Sequence, residues 1–147
     1  PPCHTFSACR RCWINRKMKF FGDEIVTAKM LDDDMEARGL PIVRRTEEII
    51  NYLKPPLWFI ENPSSGKMKN YLTHLPHYDV DYCMYSDWGY KKPTRFWTNK
   101  KEFNAKKCNR QCSNWDGNKH KTTLSDSSRN INMRYRVPAI LIKELLN

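Results

Sequence analysis

The chain has 147 residues, enough for one domain with a modest core. Its 26 Lys and Arg against 16 Asp and Glu give a formal charge of +10, which favours a nucleic-acid partner because phosphate neutralisation supplies most non-specific affinity. No run of about 18 apolar residues is present, which excludes a helical membrane span, and no signal peptide is read.

The sequence begins on Pro1 rather than Met, inside what reads as a loop, Pro1-Pro2-Cys3-His4-Thr5-Phe6-Ser7, so a fragment or a lost upstream segment is expected. Residues 8–23 are basic and aromatic, and Arg10 and Arg11 beside Cys9 and Cys12 suggest a surface loop. A short acidic helix is predicted over 24–37, with Asp32, Asp33 and Asp34 on its outer side. Gly39 is read as its end and Pro41 as the first turn of the next helix. Ile42, Val43, Thr46, Ile49, Ile50 and Leu53 then recur every three or four residues, predicting an amphipathic helix over 42–53 that Lys54-Pro55-Pro56 stops.

Leu57-Trp58-Phe59-Ile60 is a continuous apolar run, the form of a strand buried on both faces, and a strand is predicted over 57–61. Residues 64–76 read as a turn and a short helix. Alternation from Tyr78 predicts a strand over 78–84, partnered by another over 95–98. Residues 99–132 are polar, basic and irregular, and a final helix is predicted over 138–146. Helix, proline break, buried strand and polar turn are the grammar of an α/β sheet, whose ligands gather at the carboxyl ends of strands. Glu61 sits at such an end.

Two segments carry chemistry. A cysteine behind two prolines, Cys3, is a nucleophile if its thiolate is positioned and partly exposed, and otherwise a structural core residue. A carboxylate after four apolar residues, Glu61, is expected to be partly buried, which suits a proton donor near neutrality, whereas Asn62-Pro63 also favours a plain turn.

In this order the segments resemble the DNA cytosine-5 methyltransferase family, which carries a Pro-Cys loop with a trailing Phe-Ser and then a Lys-Pro, an apolar strand and Glu-Asn, here Lys54-Pro55 through Glu61-Asn62. Tyr85, the basic segment Lys91-Lys92-Pro93-Thr94-Arg95-Phe96-Trp97 and Arg136-Val137-Pro138 continue the likeness. Ile60-Glu61-Asn62-Pro63, Asp81-Tyr82-Cys83 and Phe96-Trp97-Thr98-Asn99 are similar to the divergent viral and phage branches.

The resemblance implies an α/β fold, the C-terminal part of a Rossmann-like S-adenosylmethionine-dependent methyltransferase sheet with a small irregular basic insertion at 99–132, all in one partial catalytic domain over 1–147. It implies that Cys3 attacks C6 of cytosine, that Glu61 binds N3 and the exocyclic amine, and that Arg95 assists at the base or its phosphate. Pro2 and Asn62 would shape the loops, and Lys91 and Lys92 would bind substrate. The methyl donor would be S-adenosylmethionine, the partner DNA with its cytosine flipped out, and the setting the cytoplasm or nucleus of a host, with a virus as the source.

The chain departs from the family pattern at several places. His4 stands where the family has Gln, Pro93 where it has a first arginine, and Arg134-Tyr135 where it has Gly-Asn. The glycine-rich loop and acidic residue that hold the cofactor normally precede the cysteine loop and are not in this sequence. A non-catalytic DNA-binding remnant is therefore an alternative, and methylation of RNA cytosine is another, because related enzymes with this chemistry act on tRNA.

A third alternative is a zinc-stabilised nucleic-acid-binding module. Six cysteines, at 3, 9, 12, 83, 108 and 112, are read as reduced thiols. No metal site is expected on balance, although Cys108, Cys112 and His120 are weak candidates, with Cys9 or Cys12 to complete a tetrahedron. The plainer reading of this segment is a basic loop that touches DNA through Lys100, Lys101, Lys106, Lys107, Arg110, Lys119 and Lys121, with Trp115 for stacking, or else a solvated basic face.

Overall fold

The structure, a computed structural model, describes residues 3–124 and 135–147; Pro2 and the 125–132 part of the basic segment lie outside them. A two-stranded ribbon, β1 (Lys17–Met18) and β2 (Glu24–Ile25), turns at Gly22 and leads into a long helical segment. That segment comprises α1 (Ala28–Asp34), a π-turn (Met35–Gly39) and α2 (Leu40–Leu53). Thr27 caps its start by accepting from the Met30 amide at 3.2 Å, and Lys54 ends it in the left-handed conformation before the two prolines.

The expected break at Gly39 does not occur. Pro41 falls at the start of α2, and the preceding π-turn absorbs the proline without ending the segment. Gly39 serves close packing instead. A Cβ there would lie 2.6 Å from Thr5 Oγ1 and 2.9 Å from the Phe6 ring, so the helix and the Cys3 loop touch at this point.

The main sheet has three strands, β3 (Phe59–Pro63), β4 (His77–Asp81) and β5 (Pro93–Thr98), in the order β3-β5-β4. β5 runs antiparallel to both neighbours, so β3 and β4 are parallel to each other across it. This is a mixed α/β arrangement, and among the described strands no two adjacent ones in this sheet pair in parallel. β3 accordingly alternates between half-buried and buried positions rather than being buried on both faces. The strand expected to reach residue 84 ends at Asp81, where the chain tightens into a 3₁₀ turn, Tyr82–Met84.

Directly opposed residues share a face, so the register defines two sides. Ile60, Asn62, Arg95, Trp97 and Asp79 face one way; Glu61, Thr94, Phe96 and Val80 face the other. The first side carries a core of Phe6, Met35, Leu40, Val43, Ile60, Met68, Leu72 and Trp97. Trp97 donates its indole N–H to the Leu72 carbonyl at 3.0 Å, which satisfies the one polar atom of a fully buried ring. The second side carries Val80, Tyr82, Tyr85, Phe96, Leu141 and Leu145, the last two from the closing helix α3 (Ala139–Leu146).

Two surface assignments are corrected. Arg10 is 4% exposed, donates to the Thr5 carbonyl at 3.2 Å and pairs with Asp34 at 2.6 Å. Asp34 is thus the inward-facing member of the acidic triplet, and the buried charge is tolerated because it is paired and hydrogen-bonded.

Candidate active site

Cys3 is held where its sequence neighbours pin it. Phe6 is 1% exposed in the first core, the Phe6 amide donates to the Cys3 carbonyl at 3.2 Å, and the Lys67 amide donates to the Phe6 carbonyl at 2.9 Å. Lys67 follows the turn after β3, so a backbone hydrogen bond ties the cysteine loop to the strand end that bears Glu61. His4, next to the thiol, is exposed with its ring edge-on to Phe20 at 6.3 Å.

Glu61 is one-third exposed on the second side of the sheet. Its Oε1 accepts from the Tyr82 hydroxyl at 3.1 Å and lies 3.5 Å from Lys92 Nζ. Lys92 is itself 8% exposed, with its ammonium 4.8 Å over the Tyr82 ring. The Tyr82 hydrogen bond goes to Oε1 of the carboxylate.

The half-buried Cys3 thiol responds to the same pair. Burial pushes its pKa up, the Glu61 carboxylate pushes it further up, and the Lys92 ammonium pulls it down. The Cys3 thiol, the Glu61 carboxylate and the Lys92 ammonium therefore share one small electrostatic neighbourhood. Tyr82 completes it as the residue that orients Glu61. In the sequence Tyr82 stood as a strand position and as part of the Asp81-Tyr82-Cys83 likeness, with no role at the site assigned to it.

Arg95 is not part of this group. The register places it on the opposite side of the sheet from Glu61, opposed to Asn62 and Asp79. There its guanidinium donates to Asp79 through Nε at 2.6 Å and Nη2 at 2.9 Å, the fork-on-fork geometry of a strong charge-assisted pair. That hydrogen bond, together with the neighbouring charges, outweighs burial and holds the Asp79 carboxyl below its ordinary range.

A depressed carboxyl stabilises the fold above the unfolded carboxylate pKa, and that contribution is lost as pH falls through the folded value. Replacing Arg95 with Met is expected to cost about 1–3 kcal/mol of unfolding free energy at neutral pH, since Asp79 stays partly buried without its main partner. Denaturant titration should show this difference shrinking in acid; a pH-independent difference would refute the pairing as its cause.

The remaining sequence-predicted residues divide similarly. Lys91 pairs with Asp81 at 3.2 Å, away from Glu61. Asn62 is fully buried on the first side, and neither end of its amide has a partner among the described residues. In the basic segment, Lys106 pairs with Glu144 at 2.7 Å and Lys107 with Asp79 at 3.6 Å, whereas Lys101, Arg110, Lys119 and Lys121 are exposed. Cys108, Cys112 and His120 do converge. Their fourth companion is Cys83; Cys9 and Cys12 are exposed and stand apart from the group.

No family profile matches the chain, and no solved structure matches it. A probable DNA (cytosine-5)-methyltransferase of Frog virus 3 (isolate Goorha) is 41% identical over an alignment of 160 residues, which takes in the whole of this chain and 72% of the viral protein. Similarity of that extent, with the cysteine loop and the Glu-Asn strand end brought together in space, shows that the chain belongs to the DNA (cytosine-5)-methyltransferase family, in a divergent viral branch.

Proposed function

We propose that the chain carries the base chemistry of cytosine C5 methylation in DNA, activating the ring through a covalent adduct on Cys3. The observation that carries this reading is the coupling of one thiol to a carboxylate and an ammonium in the same neighbourhood. Cys3 adds as thiolate to C6, and the C5=C6 electron pair moves into the ring. Glu61, held by Tyr82 through Oε1, takes up a proton as the base binds and donates it from Oε2 to N3, neutralising the negative charge that develops there when Cys3 adds. Lys92, rather than Arg95, is the cation beside Cys3, and it favours the thiolate before attack. Once C5 carries its new substituent, loss of the C5 proton restores the double bond and expels Cys3.

The family draws its methyl group from S-adenosylmethionine. The described residues do not fit that cofactor. A Cβ at Gly39 or Gly66 would meet only the chain's own Thr5, Phe6, Pro63 and Asn62, so these glycines serve internal packing. Gly22, Gly89 and Gly117 are separate turn positions with positive φ rather than a glycine-rich cradle. The steps derived above are therefore those of the base alone.

DNA reaches the site with its cytosine flipped out. The exposed Lys101, Arg110, Lys119 and Lys121, with Trp115, contact the phosphates as a target-recognition-like segment.

The test uses a duplex carrying 2-pyrimidinone at the target position, an electrophilic base that reports thiol addition without a methyl donor. A denaturation-resistant adduct is expected by mass spectrometry with the native chain and none with Cys3→Ser. An adduct that survives the substitution, or no adduct with duplex that is demonstrably bound, would sink the covalent reading.

A further inference from the structure

We propose that Cys83, Cys108, Cys112 and His120 form a structural zinc site that clamps the basic segment onto the turn carrying Tyr82. The four ligand atoms all lie within 4.8 Å of one another. Cys108 Sγ is 3.6 Å from Cys112 Sγ, and each of these sulfurs is 3.5 Å from His120 Nε2. With Zn–S near 2.3 Å and Zn–N near 2.0–2.1 Å, a tetrahedron has edges of roughly 3.8 Å between sulfurs and about 3.6 Å from sulfur to nitrogen. The three spacings among Cys108, Cys112 and His120 match those edges and the sulfur pair is too far apart for a disulfide bond, while the Cys83 sulfur stands within 4.8 Å of the other three ligand atoms.

The surroundings are built to hold the ligands. The Cys108 amide donates to Asp81 Oδ2 at 2.8 Å. Arg110, between the two nearby cysteines, takes the left-handed conformation at φ 70°, the bend that turns both sulfurs to one side. Asn114, 1% exposed, donates to the Cys83 carbonyl at 2.9 Å and the Ser86 carbonyl at 2.6 Å, which locks the two halves of the site together. Trp115 bridges to His120 and packs its ring edge-on at 5.2 Å. Three sulfurs and one imidazole with no vacant position suit a structural rather than a catalytic ion.

Cys83 follows Tyr82 directly, and Tyr82 holds Glu61. The ion would therefore fix both the basic segment and the carboxylate's orienting residue. The assignment stands on this geometry alone and is independent of whether Cys3 is the nucleophile.

The full chain, purified in the presence of zinc and dialysed against metal-free buffer, should retain about one zinc per chain by elemental mass spectrometry. Cobalt exchange should give the intense visible bands of a tetrahedral thiolate site. Cys112→Ser should lose the ion and the Cys9→Ser/Cys12→Ser double variant should keep it. Because Cys112→Ser could fail to fold, His120→Cys serves as a second variant: four ligands remain, the metal stays, and the cobalt spectrum shifts toward a four-sulfur pattern. Soluble native chain without zinc, loss of zinc from the Cys9/Cys12 variant, or a Cys108–Cys112 disulfide under non-reducing mass spectrometry would each overturn the assignment.

Discussion

Replacing Glu61 with Gln is expected to move two readouts in opposite directions. The carboxylate is the second contributor, after burial, to the raised Cys3 pKa, so its neutralisation lowers that pKa and enlarges the thiolate fraction at neutral pH. Alkylation by iodoacetamide should therefore quicken, with the midpoint of its pH profile moving to lower pH. Adduct formation with the pyrimidinone duplex should slow by about 10²–10³-fold, the range for removing one group aimed at charge developing in a transition state. Gln keeps an oxygen for the Tyr82 hydroxyl, so the fold is retained. A carboxylate that merely packs the turn could lower adduct formation by loosening the site, but would give no reason for a more acidic thiol. Slower alkylation, or an unshifted midpoint, would remove Glu61 from the site.

The second large effect belongs to Lys92. Its ammonium lowers the Cys3 pKa against the two effects that raise it, so Lys92→Met should shift the alkylation midpoint to higher pH, the reverse of the Glu61 result. Adduct formation at neutral pH should fall by roughly 10²-fold as thiolate is lost and Glu61 loses its ion pair. Raising the pH should recover part of the loss, because the deficit is one of protonation. Arg95→Met provides the contrast: lower stability, with an unchanged Cys3 midpoint. If Arg95→Met shifted the midpoint and Lys92→Met did not, the proposed exchange of roles between the two cations would be wrong.

The elements that were legible in the sequence are those set by local pattern. The apolar recurrence after Pro41 and the two prolines after Lys54 marked α2 and its end, and the run before Glu61 marked β3 to within two residues. What the sequence hid depended on partners far along the chain. A π-turn is a packing solution at Gly39, where Phe6 and Thr5 press on the helix, and Gly-x-Pro alone reads as a break. The apolar run reads equally well for a parallel interior strand or for one beside an antiparallel neighbour, and only pairing with β5 decides.

The site was half visible for the same reason. Cys3 and Glu61 carry recognisable flanks, and the structure brings them together. Arg95 was read from its place in a basic segment, but the side a strand residue faces depends on register with Asn62 and Asp79, a long-range property. Cys83 lies 25 positions before Cys108 in what read as an alternating strand, so attention went to the Cys9-x2-Cys12 pair, whose spacing is closer to a familiar metal motif but which stands apart from the group in space.

The alternation along β5 has an evolutionary consequence. Neighbouring residues on one short strand answer to different selective demands: Thr94 and Phe96 lie on the side shared with Glu61, while Arg95 and Trp97 support the opposite core. Point substitutions can thus tune chemistry and robustness almost separately, whereas a one-residue insertion or deletion ahead of Pro93 would exchange the two duties at a stroke. Such a lineage could drift widely in sequence, as a chain 41% identical to its viral relative has done, so long as the reading frame of its pleat is kept.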